Sequence, residues 1–429
     1  MSSIGSYEVA VIGGGIVGAS TAHHLATQGV SVILVDKGEV GGLQSRRSWG
    51  FIRKQACNIP EVPLAALAGQ EWLALSEAIG PQLTYKRGGL VALLNTENQV
   101  RVYRDWMEAA GATRAFGTVM LGPDDIHHLV PGLKREWAGG MYTESDGHAD
   151  PAIAPRIIAD HAAALGVTVL ARTTVKSIAT VGGDVAGLDT TSGRIHADRV
   201  VVSAGAWSRV LLRPLGLDVP VRLIRATAGR TQKMVPLTDL AISSPEVGFS
   251  QMADGTLVFG SAAWSDYDIV VDTIRYPRLF LPNYFRNRKM IRLHFNSMFF
   301  EDLKRRAGGR SGDFDWPRLD HPPANTKKLE FALKALQGLM RGTEDARMEV
   351  AWAGTVDVTP DAIPLVGAVR GVGGLFVATA MSSHGFGIGP GVARVVGDLA
   401  LGRTPPIDLS PFDPHRFDGA KTAAAHHHL

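Results

Sequence analysis

Two apolar runs open the chain, with a helical pattern between them. Residues 7–13 read YEVAVIG, a stretch of strand length. Ala19, Ala22, Leu25 and Ala26 then recur at helical spacing, and Gly29 stands where a helix C-cap is expected. Residues 30–35 form a second apolar run, ending in Asp36. The pattern predicts strand, helix, strand. Further on, Asp150-Pro151 predicts a helix start, with Asp150 as cap, Pro151 at the first helical position, and Ile153, Ile157, Ile158 and Leu165 as the buried stripe. Short strands are expected over 167–170 and 174–178. Polar turns at 182–184 and 191–193 mark an antiparallel meander that leads into a strand at 199–202. Strand patterns also occupy 86–94, 219–233, 257–260 and 375–380. Residues 286–306 read as one amphipathic helix with Ile291, Phe295, Met298 and Phe299 on one side. The glycines of 308–312 break it, and a second helix is expected over 326–340.

Composition sets the scale. The 429 residues are 45% hydrophobic and 20% charged, enough for a large core and two intertwined domains. No apolar run reaches the roughly 20 residues of a membrane-spanning helix. Residues 1–7 lack a basic region and a cleavage site, so they do not read as a signal peptide. The single cysteine, Cys57, permits neither an intrachain disulfide nor a cysteine-based metal cluster, and no metal site is expected. These features predict a cytoplasmic protein. The net charge of +3 is uneven: ten Lys/Arg face two acids, Glu301 and Asp302, between Arg275 and Arg310. Residues 423–429 read like part of an expression tag.

The opening pattern carries the most specific chemistry. Between strand and helix stands Gly13-x-Gly15-x-x-Gly18, with Ile16 and Val17 inside the turn. Gly13 permits the tight turn, Gly15 lets a pyrophosphate approach the backbone, and Gly18 allows close helix–strand packing. The helix N-terminus offers unpaired N–H groups to phosphate. Asp36 can accept hydrogen bonds from ribose hydroxyls, and an acid there argues against a 2′-phosphate. A dinucleotide is expected; this motif does not separate NAD from FAD.

Three later motifs narrow the choice. They are VVSAGAWS at 201–208, TPDAIPLVG at 359–367 and SSHGFGIGPG at 382–391. In this order, after the opening fingerprint, they resemble the D-amino-acid oxidase-like flavoprotein family, which includes glycine oxidase, sarcosine oxidase and amino-acid dehydrogenases. The resemblance covers about residues 6–260 and 348–417. It implies an α/β (α+β) architecture: a Rossmann-like FAD-binding domain from 1–85, 150–215 and 348–417, with an inserted antiparallel-sheet substrate domain from 86–149 and 216–347. A basic helical insertion would lie near 275–340 and a tag-derived tail over 418–429. It implies non-covalent FAD. Asp36 and Lys37 would meet the adenosine ribose; Ser45, Arg46 and Arg47 the pyrophosphate; Trp49, Gly50 and Phe51 the flavin ring. Val175 would touch the adenine, and Ala204 and Gly205 the pyrophosphate, with Trp207 and Gly354 joining from their motifs. Gly385, Phe386, Gly387 and Ile388 would place N–H groups near the flavin pyrimidine, at the start of a helix containing Pro390.

The chemistry implied is oxidation of a C–N bond in an amino acid or N-substituted amino acid. A hydride leaves for flavin and the resulting imine hydrolyses. A carboxylate substrate needs a cation. Arg53, just after the flavin-lining stretch, resembles the carboxylate-binding arginine of sarcosine oxidase; Arg222 and Arg225 are the other candidates. His384 is a candidate for proton movement. Cys57 reads most simply as packing. Oxygen or a quinone would take the electrons. Two alternatives stay open: a flavin-bearing relay subunit of a larger dehydrogenase, and an NAD-linked dehydrogenase. The basic segment at 275–310 suits an anionic membrane surface on the inner face, a homo-oligomer contact, a lid, or a solvated helix pair packed on its own sheet. Its aromatics and basic residues would also suit nucleic acid, but nothing else in the chain does, and no nucleic-acid partner is expected.

Overall fold

The computed structural model describes residues 3–308 and 314–420. The expected break at 308–312 falls mostly outside these residues, and so does the end of the tail. The opening strand–helix–strand forms as Ser3–Ile12, Ile16–Thr27 and Val32–Val35, the two strands pairing in parallel. Parallel partners extend them on both sides. In spatial order the path reads Leu365–Ala368, Leu375–Thr379, Arg194–Val202, Ser3–Ile12, Val32–Val35, Thr168–Leu170, and only the first pair is antiparallel. The expected meander, Val175–Val181 and Asp184–Thr190, hangs antiparallel from Arg194–Val202. Central strands buried on both faces read as continuous apolar runs, and Val9, Ala10, Val11, Ile33 and Leu34 are fully enclosed. The first helix packs against one face together with Gly385–Ala400 and Val62–Ile79.

The second sheet has ten strands built around Arg222–Lys233, which pairs with three others. It is not purely antiparallel. Ala241–Ser243 runs parallel to Leu90–Leu94, and Ser265–Asp268 parallel to Ile291–His294. Met348–Val358, expected with the nucleotide-binding part, belongs here: its whole length pairs with Arg222–Lys233. Its chain then crosses back to the first sheet, so this strand joins the two layers.

Two local expectations differ from what forms. The helix after Asp150 begins later, at Ala154–Ala164, because the Asp150 carboxylate accepts the Ala152 N–H in a turn and pairs with Arg230 at 2.8 Å. Its buried stripe is Ala154, Ile158, Ala159 and Ala162, while Ile153 and Leu165 are exposed. The basic segment is not one helix. It forms Pro277–Asn287, the strand Ile291–His294, and Ser297–Ala307. Asp266 explains the interruption: with its own strand it takes His294 at 2.8 Å, drawing residues 291–294 into the sheet edge. The later helix, Thr326–Leu339, buries Leu329, Ala332 and Leu336 against Phe249 and Phe259. It covers its own sheet, as the plainest reading of the segment held. Lastly, the late glycine-rich helix starts at Gly385, with Pro390 inside it.

Candidate active site

The crossing of two helices far apart in sequence fixes the site. A Cβ placed on Gly389 would sit 3.0 Å from Ile16 Cγ2, so the helix starting at Gly385 lies directly on the start of the first helix. The N-terminal residues of both, Gly15–Val17 and Gly385–Ile388, line one cavity of about 960 Å³. That is at the upper end of the range for ligand pockets.

One end of this cavity is a nucleotide cradle. Gly13 has φ +99°, and a Cβ there would lie 2.5 Å from Ser203 O; one on Gly18 would meet Gly13 O at 1.8 Å. The turn therefore closes only with glycine at both positions. Ser45 Oγ accepts the Ile16 N–H at 2.9 Å, tying the next loop to the helix start. Asp36 accepts the Gly14 N–H at 2.6 Å and the Gly38 N–H at 2.7 Å, and burial raises its pKa despite both bonds. Lys37, expected at the ribose, pairs instead with Asp320 at 2.6 Å and lies over the Trp207 ring. Arg47 donates to Asp320 O and to His321. The segment after the basic helices thus reaches across to the cradle. Val175, Ala204, Gly205 and Trp207 line the cavity, as do Trp49, Phe51 and Gly354. Arg46 is exposed and lies off the cavity wall. Gly18 and Gly50 act in packing rather than lining: a Cβ on Gly50 would lie 2.3 Å from Ala149 O.

Between cradle and far end runs a polar seam that the sequence reading missed. Gln44 donates to Asp357 Oδ1 at 2.8 Å and accepts the Ala206 N–H at 3.1 Å; Asp357 also takes the Ala380 N–H at 3.0 Å. Burial raises the Asp357 pKa. This one carboxylate ties both sheets to the loop before His384.

The far end holds Arg53 and His384. Arg53 donates to Gln55 O at 3.3 Å and approaches His384 Nε2 at 3.5 Å. His384 Nδ1 lies 3.2 Å from Glu61 Oε1. Glu61 is fully enclosed, and its other oxygen takes the Asn58 side chain at 2.6 Å and backbone N–H at 3.2 Å. Burial alone would raise its pKa, but the His384 charge and the His384 and Asn58 hydrogen bonds hold it below the usual value. An ionised carboxylate only accepts, so Nδ1 carries a hydrogen toward Glu61, and Nε2 faces Arg53 and the cavity. Glu61 has only a modest sequence signature: it follows Asn58 at the third position, a capping spacing. Cys57 also lines the cavity, but burial, reinforced by the Glu61 charge, pushes its thiol up to about 12.

Backbone strain gathers at the same place. Of seven non-glycine residues with positive φ among the described residues, four line the cavity: Ala56, Ala380, Ser382 and Ser383. Left-handed backbone at such residues costs energy that the surrounding structure must offset, and it clusters at functional sites. Trp72 Nε1 donates to Gly387 O at 2.8 Å and holds the strained turn from behind.

These features fit FAD. The cradle leaves backbone N–H groups and a ribose acceptor at one end, and the wide cavity continues to a second helix N-terminus, where a flavin ring would lie. No group of three or more His, Cys, Asp or Glu that could hold a metal occurs among the described residues.

Comparison with known proteins agrees. The chain is similar to D-amino acid dehydrogenase of Paramagnetospirillum magneticum, 27% identical over 96% of this chain and 99% of that protein. It is 26% identical to glycine oxidase of Pseudomonas aeruginosa, over 95% and 99%. The solved structure of L-amino acid deaminase from Proteus myxofaciens in complex with anthranilate superposes with TM-score 0.89 at 25% identity, covering 96% of this chain and 94% of that one. Residues 8–399 match the DAO family, described as FAD dependent oxidoreductase, and the chain belongs to that family.

Proposed function

We propose that the protein oxidises the C–N bond of an amino acid or N-substituted amino acid and holds its FAD without a covalent link. The observation that carries this reading is the Glu61–His384–Arg53 chain at the end of the cavity opposite the nucleotide cradle. Bound FAD supplies the hydride acceptor. Arg53 binds the substrate carboxylate through paired N–H donors, and among the described residues no carboxylate pairs with it. His384 Nε2 takes a proton from the substrate ammonium, which frees the amine lone pair to drive hydride from the α-carbon. Glu61 fixes the imidazole tautomer and stabilises the charge that His384 acquires. Water then adds to the imine, giving a carbonyl product and an amine. The oxidases and dehydrogenases among the relatives support an amino-acid substrate. The non-covalent link is supported by the raised Cys57 thiol and by His384, whose two ring nitrogens both face partners.

The test is an anaerobic screen of FAD-loaded protein with L- and D-amino acids and N-alkyl amino acids, following loss of flavin absorbance. Bleaching by members of this set is expected, and denaturation should release free FAD. Flavin that no amino acid bleaches would favour a relay subunit. A colourless protein that changes nicotinamide absorbance would favour an NAD-linked enzyme.

A second reading concerns the electron acceptor. Phe285, Phe295 and Phe300 are more than half exposed, at 61, 62 and 56%, among Arg286, Arg288 and Lys289. Exposed aromatics beside cations suit the surface of an anionic bilayer and a quinone there. Among the described residues no helix is long and apolar enough to cross a membrane, so such contact would be peripheral. Sedimentation with phosphatidylglycerol vesicles but not with phosphatidylcholine vesicles is the expected result.

A further inference from the structure

A second guanidinium lines the same cavity as Arg53. Arg222 begins the central strand of the larger sheet and lies opposite Val358. Side chains alternate along a strand, so Arg222 shares a face with Ile224, Ala226 and Ala228. That face looks toward the loop expected along the flavin. Gly354, opposite Ala226, lies against the Arg47 side chain, and Gly260, opposite Ala228, against the Trp49 indole. Tyr267, opposite Ile224, and Phe280 flank the guanidinium, with its carbon 5.6 and 4.2 Å from the two ring centres.

What distinguishes Arg222 is what it lacks. Its side chain reaches the Tyr267 hydroxyl, but its Nε is buried without a partner and, among the described residues, no carboxylate forms an ion pair with it. Neighbouring cations have a carboxylate close by: Arg225 faces Asp268 at 3.4 Å, and the Asp266 charge acts on Lys328, which donates to Trp264 O. The acids on the cavity wall are engaged elsewhere. Asp36 holds Gly14 and Gly38, Asp320 holds Lys37, and Asp357 holds Gln44. A half-buried guanidinium between two aromatic rings, with no counter-charge, calls for an anion from outside. Arg53 on the same cavity is in the same condition.

Two such cations exceed what one α-carboxylate needs. We infer that the substrate carries a second carboxylate, on its side chain or on an N-linked arm, bound by Arg222 while Arg53 takes the α-carboxylate. This rests on the amino-acid oxidase or dehydrogenase reading above and names its substrate class. Phe280 belongs to the insertion, so the insertion helps shape the pocket for the second anion.

The test compares anaerobic flavin reduction by matched pairs: glutamate against glutamine, aspartate against asparagine, and iminodiacetate against sarcosine, in both enantiomers where they exist. The diacid of a pair should be favoured in kcat/KM by about 10- to 100-fold, the worth of one charge-assisted hydrogen-bonded pair. Arg222→Met should abolish that preference, with the KM for diacids rising by a larger factor than the KM for their neutral partners; Arg222→Lys should restore part of it. The flavin absorption spectrum of each variant reports intact folding. Glutarate, an inert diacid, should perturb that spectrum at lower concentration than butyrate, and Arg222→Met should remove the difference. Equal use of diacids and neutral partners, or equal loss with both in Arg222→Met, would overturn the inference while leaving amino-acid oxidation standing. Bleaching by no member of any pair, with FAD bound, would sink the parent reading and this one with it.

Discussion

Glu61 Oε1 lies 3.2 Å from His384 Nδ1, across 323 residues of sequence. The pair joins the loop after the flavin-lining stretch to the start of the late helix. Its arrangement leaves one ring nitrogen for the protein and one for the cavity. A structural pair would be replaceable by any neutral hydrogen bond, whereas a pair that supports a base would not. Glu61→Gln should lower the rate of flavin reduction by about 100-fold while FAD affinity stays within a few-fold. Glu61→Asp should recover part of the rate. Stopped-flow reduction and FAD titration on the same preparations check both; an unchanged reduction rate in Glu61→Gln removes the role.

Arg53 makes only a long carbonyl contact and a 3.5 Å approach to His384 within the protein. Arg53→Ala should therefore raise the KM for carboxylate substrates by about 100-fold, as expected for loss of a charged hydrogen-bonded contact, with little effect on thermal stability. Steady-state kinetics with a melting curve separate the two. A KM close to that of the parent protein would take Arg53 out of the site.

Gly18 has no room for a side chain, since a Cβ would meet Gly13 O at 1.8 Å and Ser203 Oγ at 2.6 Å. Gly18→Ala should cost about 1–3 kcal/mol of stability, or more if the turn cannot shift, and should weaken FAD retention with it. Denaturant unfolding and the FAD content of the purified variant measure both. Gly29, at φ +78° with open space around it, should accept alanine at a smaller cost, confined to its backbone conformation.

Two buried histidines set an acid limit to stability. Burial first, then the nearby charges of His161 and His24, lowers His23 from 6.5 to about 4; burial lowers His148 equally, although its Nε2 contacts Gln251 O at 2.9 Å. Between pH 6.5 and 4 the unfolded chain binds protons that the folded chain refuses. Stability should be flat in these groups above pH 6.5 and fall as pH drops through the window. Each contributes up to about 1.4 kcal/mol per pH unit. Melting temperatures at pH 7, 6 and 5 should show the decline, and His148→Gln should flatten it. A decline of the same steepness in that variant would contradict the assignment.

The alternation of apolar runs with a glycine fingerprint was enough to place the nucleotide half, because each glycine answers a local steric demand. Asp36, Ser45 and the 385–388 turn fall on the cavity wall for the same reason. Gln44 and Asp357 were not legible, and Glu61 showed only its capping spacing from Asn58, since the Gln44–Ala206, Gln44–Asp357 and Glu61–His384 contacts span 162, 313 and 323 residues. The basic segment misled for a different cause. Its periodicity over 286–306 is helical, yet sheet-edge pairing to Ser265–Asp268 and the His294–Asp266 contact draw its middle into a strand. Lys37, which the family resemblance sets at the ribose, lines the cavity and pairs with Asp320, a residue from a stretch of sequence with no recognisable motif.

The cavity wall draws on residues near 12–58, 90–103, 173–227, 243–293, 314–328 and 354–388. During synthesis, then, the opening fingerprint emerges and folds its turn long before the partners that close the chamber exist. A nascent chain halted anywhere short of the glycine-rich turn would expose a half-built floor of apolar strand ends with nothing to cover it. Loading of the prosthetic group is thereby deferred until the 385–388 turn has been synthesised, and no shorter polypeptide closes the chamber around it.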